Sequence, residues 1–343
     1  MGEIRYNKSI VKNINESLIR RMLQGAGTFT KTKVARETGL SFPTVSRILD
    51  EMAESGEILG GGVDPTTGGR HAQSYVLNPE YAYVQCIYFL NIRTMRSLLI
   101  NAVGEKALEE DIRITDLKAA VEEGIDQCIE KNLAKFPIKA ISIGLPWGVS
   151  QGKILFGAKP FDLENYPIEN HLKEKFGISA RVENDMNSVA AGCYARMFGR
   201  DERVSLACLS VAGGGCGCGL FVRGHLVRGR HGFAGELRYL AEDPEKNMEN
   251  IFTNDKLIKA PVGYVSQMLA SVCAVVDPAY VVFYQRPDVP FDLAEVKEAC
   301  RRFLPEDVVP ELLVSDTFNE DLENGLIGFG SELLLQGYEI VNR

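Results

Sequence analysis

Gly39 is the position that most constrains the start of this chain. Upstream of it, Thr32 to Thr38 reads as a short helix with Val34 and Ala35 facing inward. Gly39 breaks that helix, and Leu40 follows as an apolar plug. Ser41 then caps a further helix that tolerates Pro43 in its first turn. That helix carries Val45, Ile48, Leu49 and Met52 at i, i+3, i+4 and i+7, so one face must be buried. A helix before it, Ile14 to Leu23, offers Leu18, Ile19, Met22 and Leu23 at helical spacing. Two short helices about a glycine turn make a helix-turn-helix, whose second helix enters the DNA major groove by its first residues.

The groove-facing candidates are Ser41, Phe42, Thr44, Ser46 and Arg47. An arginine reaches a guanine edge or a phosphate, and a threonine meets a base or the thymine methyl. Gly56 to Leu59, the turn-rich Gly60 to Arg70, and Gln73 to Leu77 read as a hairpin wing with Arg70 near its tip, placed for a minor groove or a phosphate. Charge is distributed to match. Residues 1–78 hold 10 Lys and Arg against 8 Asp and Glu, whereas the remainder holds 28 against 38. A mildly basic head on an acidic body suits DNA contact by the head alone. A helical bundle that uses its hairpin for protein contact is the alternative.

Beyond the head, apolar runs such as Ala140 to Leu145, Val204 to Val211 and Tyr280 to Tyr284 alternate with helical stretches, an α/β layout. No apolar run reaches the ~20 residues of a membrane span. The N-terminus lacks the continuous apolar segment of a secretory signal. The eight cysteines are scattered, several of them in apolar runs, and read as reduced core thiols, so a cytoplasmic location is expected.

Lys33 to Leu77 resembles the DNA-binding head of the ROK family (repressors, open reading frames and kinases). The resemblance is carried by Val34 to Ser41, by Thr44-Val45-Ser46-Arg47-Ile48 and by Gly68-Gly69-Arg70. It continues through Glu183-Asn184-Asp185-Met186-Asn187, which is similar to the family's E-N-D-x-N segment. The run Gly213 to Gly219 resembles its glycine-rich phosphate loop, with Gly213, Gly214, Gly215 and Gly217 as the loop glycines. Gly232-Phe233-Ala234-Gly235-Glu236 resembles its sugar-contact motif, and Gly325 to Gly328 the start of its closing helix. The resemblance implies a winged helix-turn-helix over residues 1–80 and a two-lobed, actin-like (ribonuclease H-like) ATPase fold over 81–343. Lobe one is then expected at 81–188 plus 325–343, and lobe two at 189–324.

In such a body Asp185 matches the family's catalytic base, and Asn184, Asp185, Glu236 and Tyr239 are the implied ligand contacts. The family's first phosphate motif, D-x-G-G-T, is replaced by Phe89-Leu90-Asn91-Ile92-Arg93-Thr94, which has neither carboxylate nor glycine. Kinase turnover needs nucleotide positioning and charge neutralisation, so no kinase activity and no bound cofactor are expected. Arg238-Tyr239 replaces the family's G-H, and Asp243 to Asp255 contains no cysteine, so no zinc is expected. Cys216 and Cys218 read as buried thiols, Trp147 as core or lobe-interface packing, and Asp185 also as a helix cap. The expected function is a DNA-binding regulator, a repressor of carbohydrate-related genes. Its expected partners are a duplex operator, a sugar or sugar-derived effector, and a second copy in a homodimer or homotetramer. An active sugar kinase and a ligand-free scaffold acting through a protein partner are the alternatives.

Overall fold

The structure is a computed structural model and describes residues 8–25, 27–63, 73–199, 201–212, 215–240, 261–285 and 290–336. The head comprises α1 (Lys8–Leu23), β1 (Phe29–Thr30), α2 (Lys31–Thr38), α3 (Phe42–Glu54), β2 (Ile58–Val63) and β3 (Gln73–Leu77). Gly39 ends α2 in the left-handed region at φ 70°, and its amide donates to the Ala35 carbonyl. Ser41 caps α3 by accepting from the Thr44 amide. Val45, Ile48, Leu49 and Met52 are all buried, with Ile19, Leu23, Phe29, Val34, Ile58 and Tyr75 around them. Burying each large apolar side chain stabilises by about 1.5–3 kcal/mol, which holds α3 against the rest of the head. Leu18 departs from its expected role. It is 40% exposed, because the chain commits the Ile19–Leu23 side of α1 to the core.

The body contains two five-stranded sheets with one topology. The first is built from β4 (Tyr83–Asn91), β5 (Thr94–Asn101), β6 (Lys106–Arg113), β7 (Ile138–Leu145) and β10 (Ser179–Asn184), in the order β10-β7-β4-β5-β6. Strands β4, β5 and β6 run antiparallel in sequence, whereas β7 pairs parallel with β4 and β10 with β7. The second sheet repeats the pattern with β11 (Leu206–Ala212), β12 (Gly215–Val222), β13 (His225–Leu226), β14 (Tyr280–Gln285) and β15 (Glu311–Val314). This duplicated ribonuclease H-like order is the two-lobed actin-like fold. On the outer side of lobe one, α4 (Leu117–Ala119) leads through a π-turn at Ala120–Gly124 into α5 (Ile125–Leu133). A small ribbon, β8 (Gly148–Ser150) with β9 (Lys153–Phe156), and α6 (Ile168–Phe176) come before β10.

Between the sheets lie α7 (Asp185–Phe198) and the closing helix. In lobe two, α8 (Pro261–Val276) and α9 (Leu293–Cys300) precede that helix, α10 (Phe318–Gln336). Val84, Cys86 and Tyr88 of the first sheet and Cys208, Val282 and Tyr284 of the second share one core with α7 and α10. The two helices cross at glycines. A Cβ on Gly192 would stand 1.8 Å from the Asp321 carbonyl oxygen, and one on Gly325 would stand 1.9 Å from that of Ser188. Thus α10 begins seven residues before Gly325, and Gly325 is an interior contact point rather than a start. The crossing is fastened by buried Asp321, which accepts from Arg196 at 2.7 and 2.8 Å, from the Tyr284 hydroxyl at 2.6 Å and from Thr317 at 2.9 Å. At its far end the Leu335 carbonyl accepts from the Ser17 hydroxyl of α1 at 2.7 Å, joining body to head.

Candidate functional site

On the head, α3 presents Ser41, Phe42 and Arg47 to solvent, with Thr44 and Ser46 half-buried. The Ser41 and Thr44 hydroxyls are 2.8 Å apart, which fixes the first turn. Arg47 pairs with Glu51 at 2.7 Å, and Lys12 reaches the same carboxylate at 2.9 Å. Lys31, at the start of α2, donates to Ser46 at 3.0 Å and pairs with Asp50 at 2.5 Å. Lys31 was not among the residues singled out from the sequence. It comes beside α3 only because the turn folds α2 back across it. Exposed pairs of this kind are worth ~0–1 kcal/mol, so Arg47 exchanges Glu51 for another anion at little cost. Arg70 lies outside the described residues.

In the body, β10 delivers Glu183-Asn184 to the head of α7, where Asp185 is the first helical residue. Asn184 is the N-cap. Its oxygen accepts from the Asn187 amide at 3.2 Å, and its NH₂ donates to the Trp147 carbonyl at 3.2 Å. Asn184 therefore has a structural assignment at both ends of its amide. Asp185 is half-buried and accepts from the Met186 amide at 2.7 Å. Burial pushes its carboxyl up to about 6, against the lowering effect of that amide, and the charge of nearby Glu236 raises it further. Asp185 and Glu236 are thus close enough for one charge to act on the other, and a carboxylate pair of this kind can accept hydrogen bonds from adjacent hydroxyls.

Glu236 closes a tight segment. Gly232 and Gly235 adopt left-handed conformations at φ 67° and 90°. A Cβ on the first would meet the Val149 carbonyl oxygen of lobe one at 2.2 Å, and one on the second would meet that of Cys218 of lobe two at 1.9 Å. Phe233 packs edge-on against Phe156 at 5.4 Å and against Tyr239 at 4.9 Å, so Tyr239 belongs to an aromatic cluster beside the site. Trp147 is buried between Phe89 and Phe161, at 6.1 and 6.0 Å, and is core.

The described part of the glycine run is strand rather than loop. Gly213 and Gly214 lie outside the described residues, but Gly215 and Gly217 are within β12, paired with Ala212 and Ser210. A Cβ on Gly217 would meet the Met186 side chain at 2.5 Å, and one on Gly219 would meet the Met186 carbonyl oxygen at 2.1 Å. The helix α7 lies directly on this strand, and that contact requires glycine. Cys216 and Cys218 are buried, and burial pushes the Cys218 thiol up. Among the described residues no group of three or more His, Cys, Asp or Glu is placed to hold a metal ion. Where the first phosphate motif would lie, β4 turns into β5 through exposed Ile92 and Arg93, with the Arg93 amide held by the Asn91 side chain at 2.8 Å. A cavity of about 760 Å³ lies elsewhere, at the joint of head and body, lined among others by Arg20, Glu57, Tyr81, Lys139 and Leu335. Its walls come from segments far apart in sequence, so no local pattern announces it. No helix among the described residues is long and apolar enough to cross a membrane.

Comparison with known proteins places these features. The ROK family profile matches residues 93–249. A xylose repressor of Caldicellulosiruptor bescii is 30% identical over 241 residues, covering 67% of this chain and 59% of that protein. The DNA-binding transcriptional dual regulator NagC of Escherichia coli is 25% identical over 250 residues, covering 69% and 60%. The chain thus spans about three fifths of the length of these curated relatives. Among solved structures, a ROK family transcriptional regulator described as a homologue of the E. coli MLC protein superposes with a TM-score of 0.72. That match covers 95% of this chain and 97% of the other at 16% identity. A ROK family glucokinase from Streptomyces griseus gives a TM-score of 0.56 at 15% identity, covering 73% and 99%. The duplicated sheet topology and these similarities agree, and residues 93–249 of this chain form a ROK family domain.

Proposed function

We propose that this chain is a transcriptional regulator of carbohydrate-related genes, a repressor that binds a duplex operator through its head and senses a sugar or sugar derivative between the lobes of its body. The observation that carries the reading is the geometry of the head: a glycine turn between α2 and α3, a capped recognition helix with its apolar face buried, and Ser41, Phe42 and Arg47 left to solvent. The relatives named as repressors support it. The body lacks the carboxylate and glycines of the first phosphate motif at Phe89 to Thr94, so it recognises without transferring phosphoryl groups, and no cofactor enters the reading. Asp185 and Glu236 accept from ligand hydroxyls, and the wing adds Arg70 to the DNA face. The head spans residues 1–80 and the body 81–343. A homodimer or homotetramer reads paired half-sites, as two-fold DNA recognition requires.

The ligand shifts operator affinity only as far as it prefers one lobe arrangement over another. The contact between Ser17 of α1 and Leu335 of α10 gives that preference a route to the head. The test is fluorescence anisotropy with genomic fragments, full-length chain against a chain lacking residues 1–80, with calorimetry against sugars, sugar acids and sugar phosphates. Specific binding that survives loss of the head refutes the DNA reading, and turnover of ATP with any sugar refutes the non-enzymatic one.

A further inference from the structure

Glu183 immediately precedes the cap Asn184 and Asp185, yet its own side chain is only 4% exposed. One carboxylate oxygen accepts from the Asn187 side-chain amide at 2.8 Å and from the Asn184 amide at 3.3 Å. The other accepts from Arg228 Nε at 2.6 Å. Arg228 belongs to the other lobe, just after β13, and its carbonyl accepts from the Ala234 amide at 3.1 Å. A continuous chain of contacts therefore runs from Asn184 and Asn187, on either side of Asp185, through Glu183 and Arg228 to the segment that ends in Glu236. The guanidinium lies 6.0 Å from the centre of the Phe329 ring on α10, and the same ring is covered by Arg181 at 3.9 Å. Among the described residues Arg228 Nη2 is buried without a hydrogen-bond partner.

We propose that Glu183 and Arg228 form an interlobe strut that sets the separation of the two site carboxylates, with Glu183 acting as a positioning residue rather than a ligand contact. Its consequence for sensing rests on the reading of Asp185 and Glu236 as ligand-facing; the strut itself does not. The pair is the polar tie at a place where the lobes otherwise meet through Gly232 against Val149 and Phe233 against Phe156. Losing the charge on Glu183 leaves an acceptor for Asn187 but none of full strength for Arg228. On this face the lobes then keep only the backbone approach at Gly232 and the ring contact at Phe233, and their spacing there widens.

The experiment uses the full chain without ligand, so its outcome is independent of whether any sugar binds. All eight native cysteines are buried. Cysteines placed at Asp162 in lobe one and Glu306 in lobe two, whose side chains are 92% and 74% exposed, therefore carry spin labels selectively. Pulsed dipolar spectroscopy then reads the distance between the lobes. The parent gives a narrow distribution. Glu183→Gln and Arg228→Met each broaden it and move it to longer distance by similar amounts. The two together do no more than either alone, and Arg228→Lys restores most of the parent distribution. Asp185→Asn leaves it unchanged. Circular dichroism confirms folding, and if Glu183→Gln does not fold, the Arg228 pair alone decides. Distributions that stay at the parent position in folded Arg228→Met, or widening by the two substitutions that adds, overturn the proposal.

Discussion

Replacing Asp185 by Asn keeps an oxygen that can accept from the Met186 amide and removes the charge. The carboxyl ordinarily titrates near 3.8 and is pushed up to about 6 by burial, with Glu236 adding to the effect. A folded-state value above the unfolded one means that the folded chain holds a proton the unfolded chain has already lost. Stability from this group is complete below about 3.8 and falls as the pH rises through about 6. At 1.36 kcal/mol for each pH unit between the two values, the ionised group costs about 3 kcal/mol at pH 8 and roughly half that at pH 5. Asp185→Asn is therefore expected to be more stable than the parent, with a gap at pH 8 nearly twice that at pH 5. Denaturant unfolding at the two pH values, followed by circular dichroism, measures this. In the same preparations, calorimetry should show ligand affinity lost. A variant less stable than the parent at pH 8, or a gap independent of pH, refutes the argument that a desolvated charge is kept there for recognition.

Other outcomes follow from the same contacts. Arg47→Ala should weaken specific operator binding by ~1–3 kcal/mol if Arg47 makes a bidentate base contact, read by anisotropy titration; equal loss on random DNA would make it a phosphate contact instead. Gly192→Ala places a methyl 1.8 Å from the Asp321 carbonyl oxygen and should lower stability by about 1–3 kcal/mol or more in urea unfolding, whereas Gly328→Ala in α10, with nothing within 4 Å, should raise it by ~0.5–1 kcal/mol. Asp321→Asn leaves Arg196 without its carboxylate and should cost about 3 kcal/mol. Burial works to raise the Asp321 carboxyl, but hydrogen bonds from Arg196, Tyr284 and Thr317 hold it below the ordinary carboxylate range. Its contribution is thus present above about pH 4 and is lost as the pH falls, so the cost of Asp321→Asn should shrink in acid.

The head was legible because each of its devices is local. A glycine in the left-handed region, a serine cap and an apolar repeat at i, i+3, i+4 and i+7 act within one turn of the residues that announce them, and Val45, Ile48, Leu49 and Met52 are buried as their spacing requires. The body was legible as α/β from its apolar runs, but its site was only half so. Asp185 and Glu236 stand out by motif, whereas the long-range ion pairs of the body do not: Glu183 meets Arg228 across 45 residues, and Asp321 meets Arg196 across 125. Short-range patterns carry no information about such pairs, because each member alone looks like a solvated charge. The glycines show a subtler failure. Gly217, Gly219, Gly192 and Gly325 all mark close backbone approach, and a run of them beside a strand suggests a phosphate cradle. Here the approaching group is another element of the same chain, with α7 against β12 and α10 against α7. A missing Cβ reports that something comes near, and only the fold says what. In this body the nearness serves two helices packed between two sheets, and it sets Asp185 at the head of α7 within reach of the charge of Glu236.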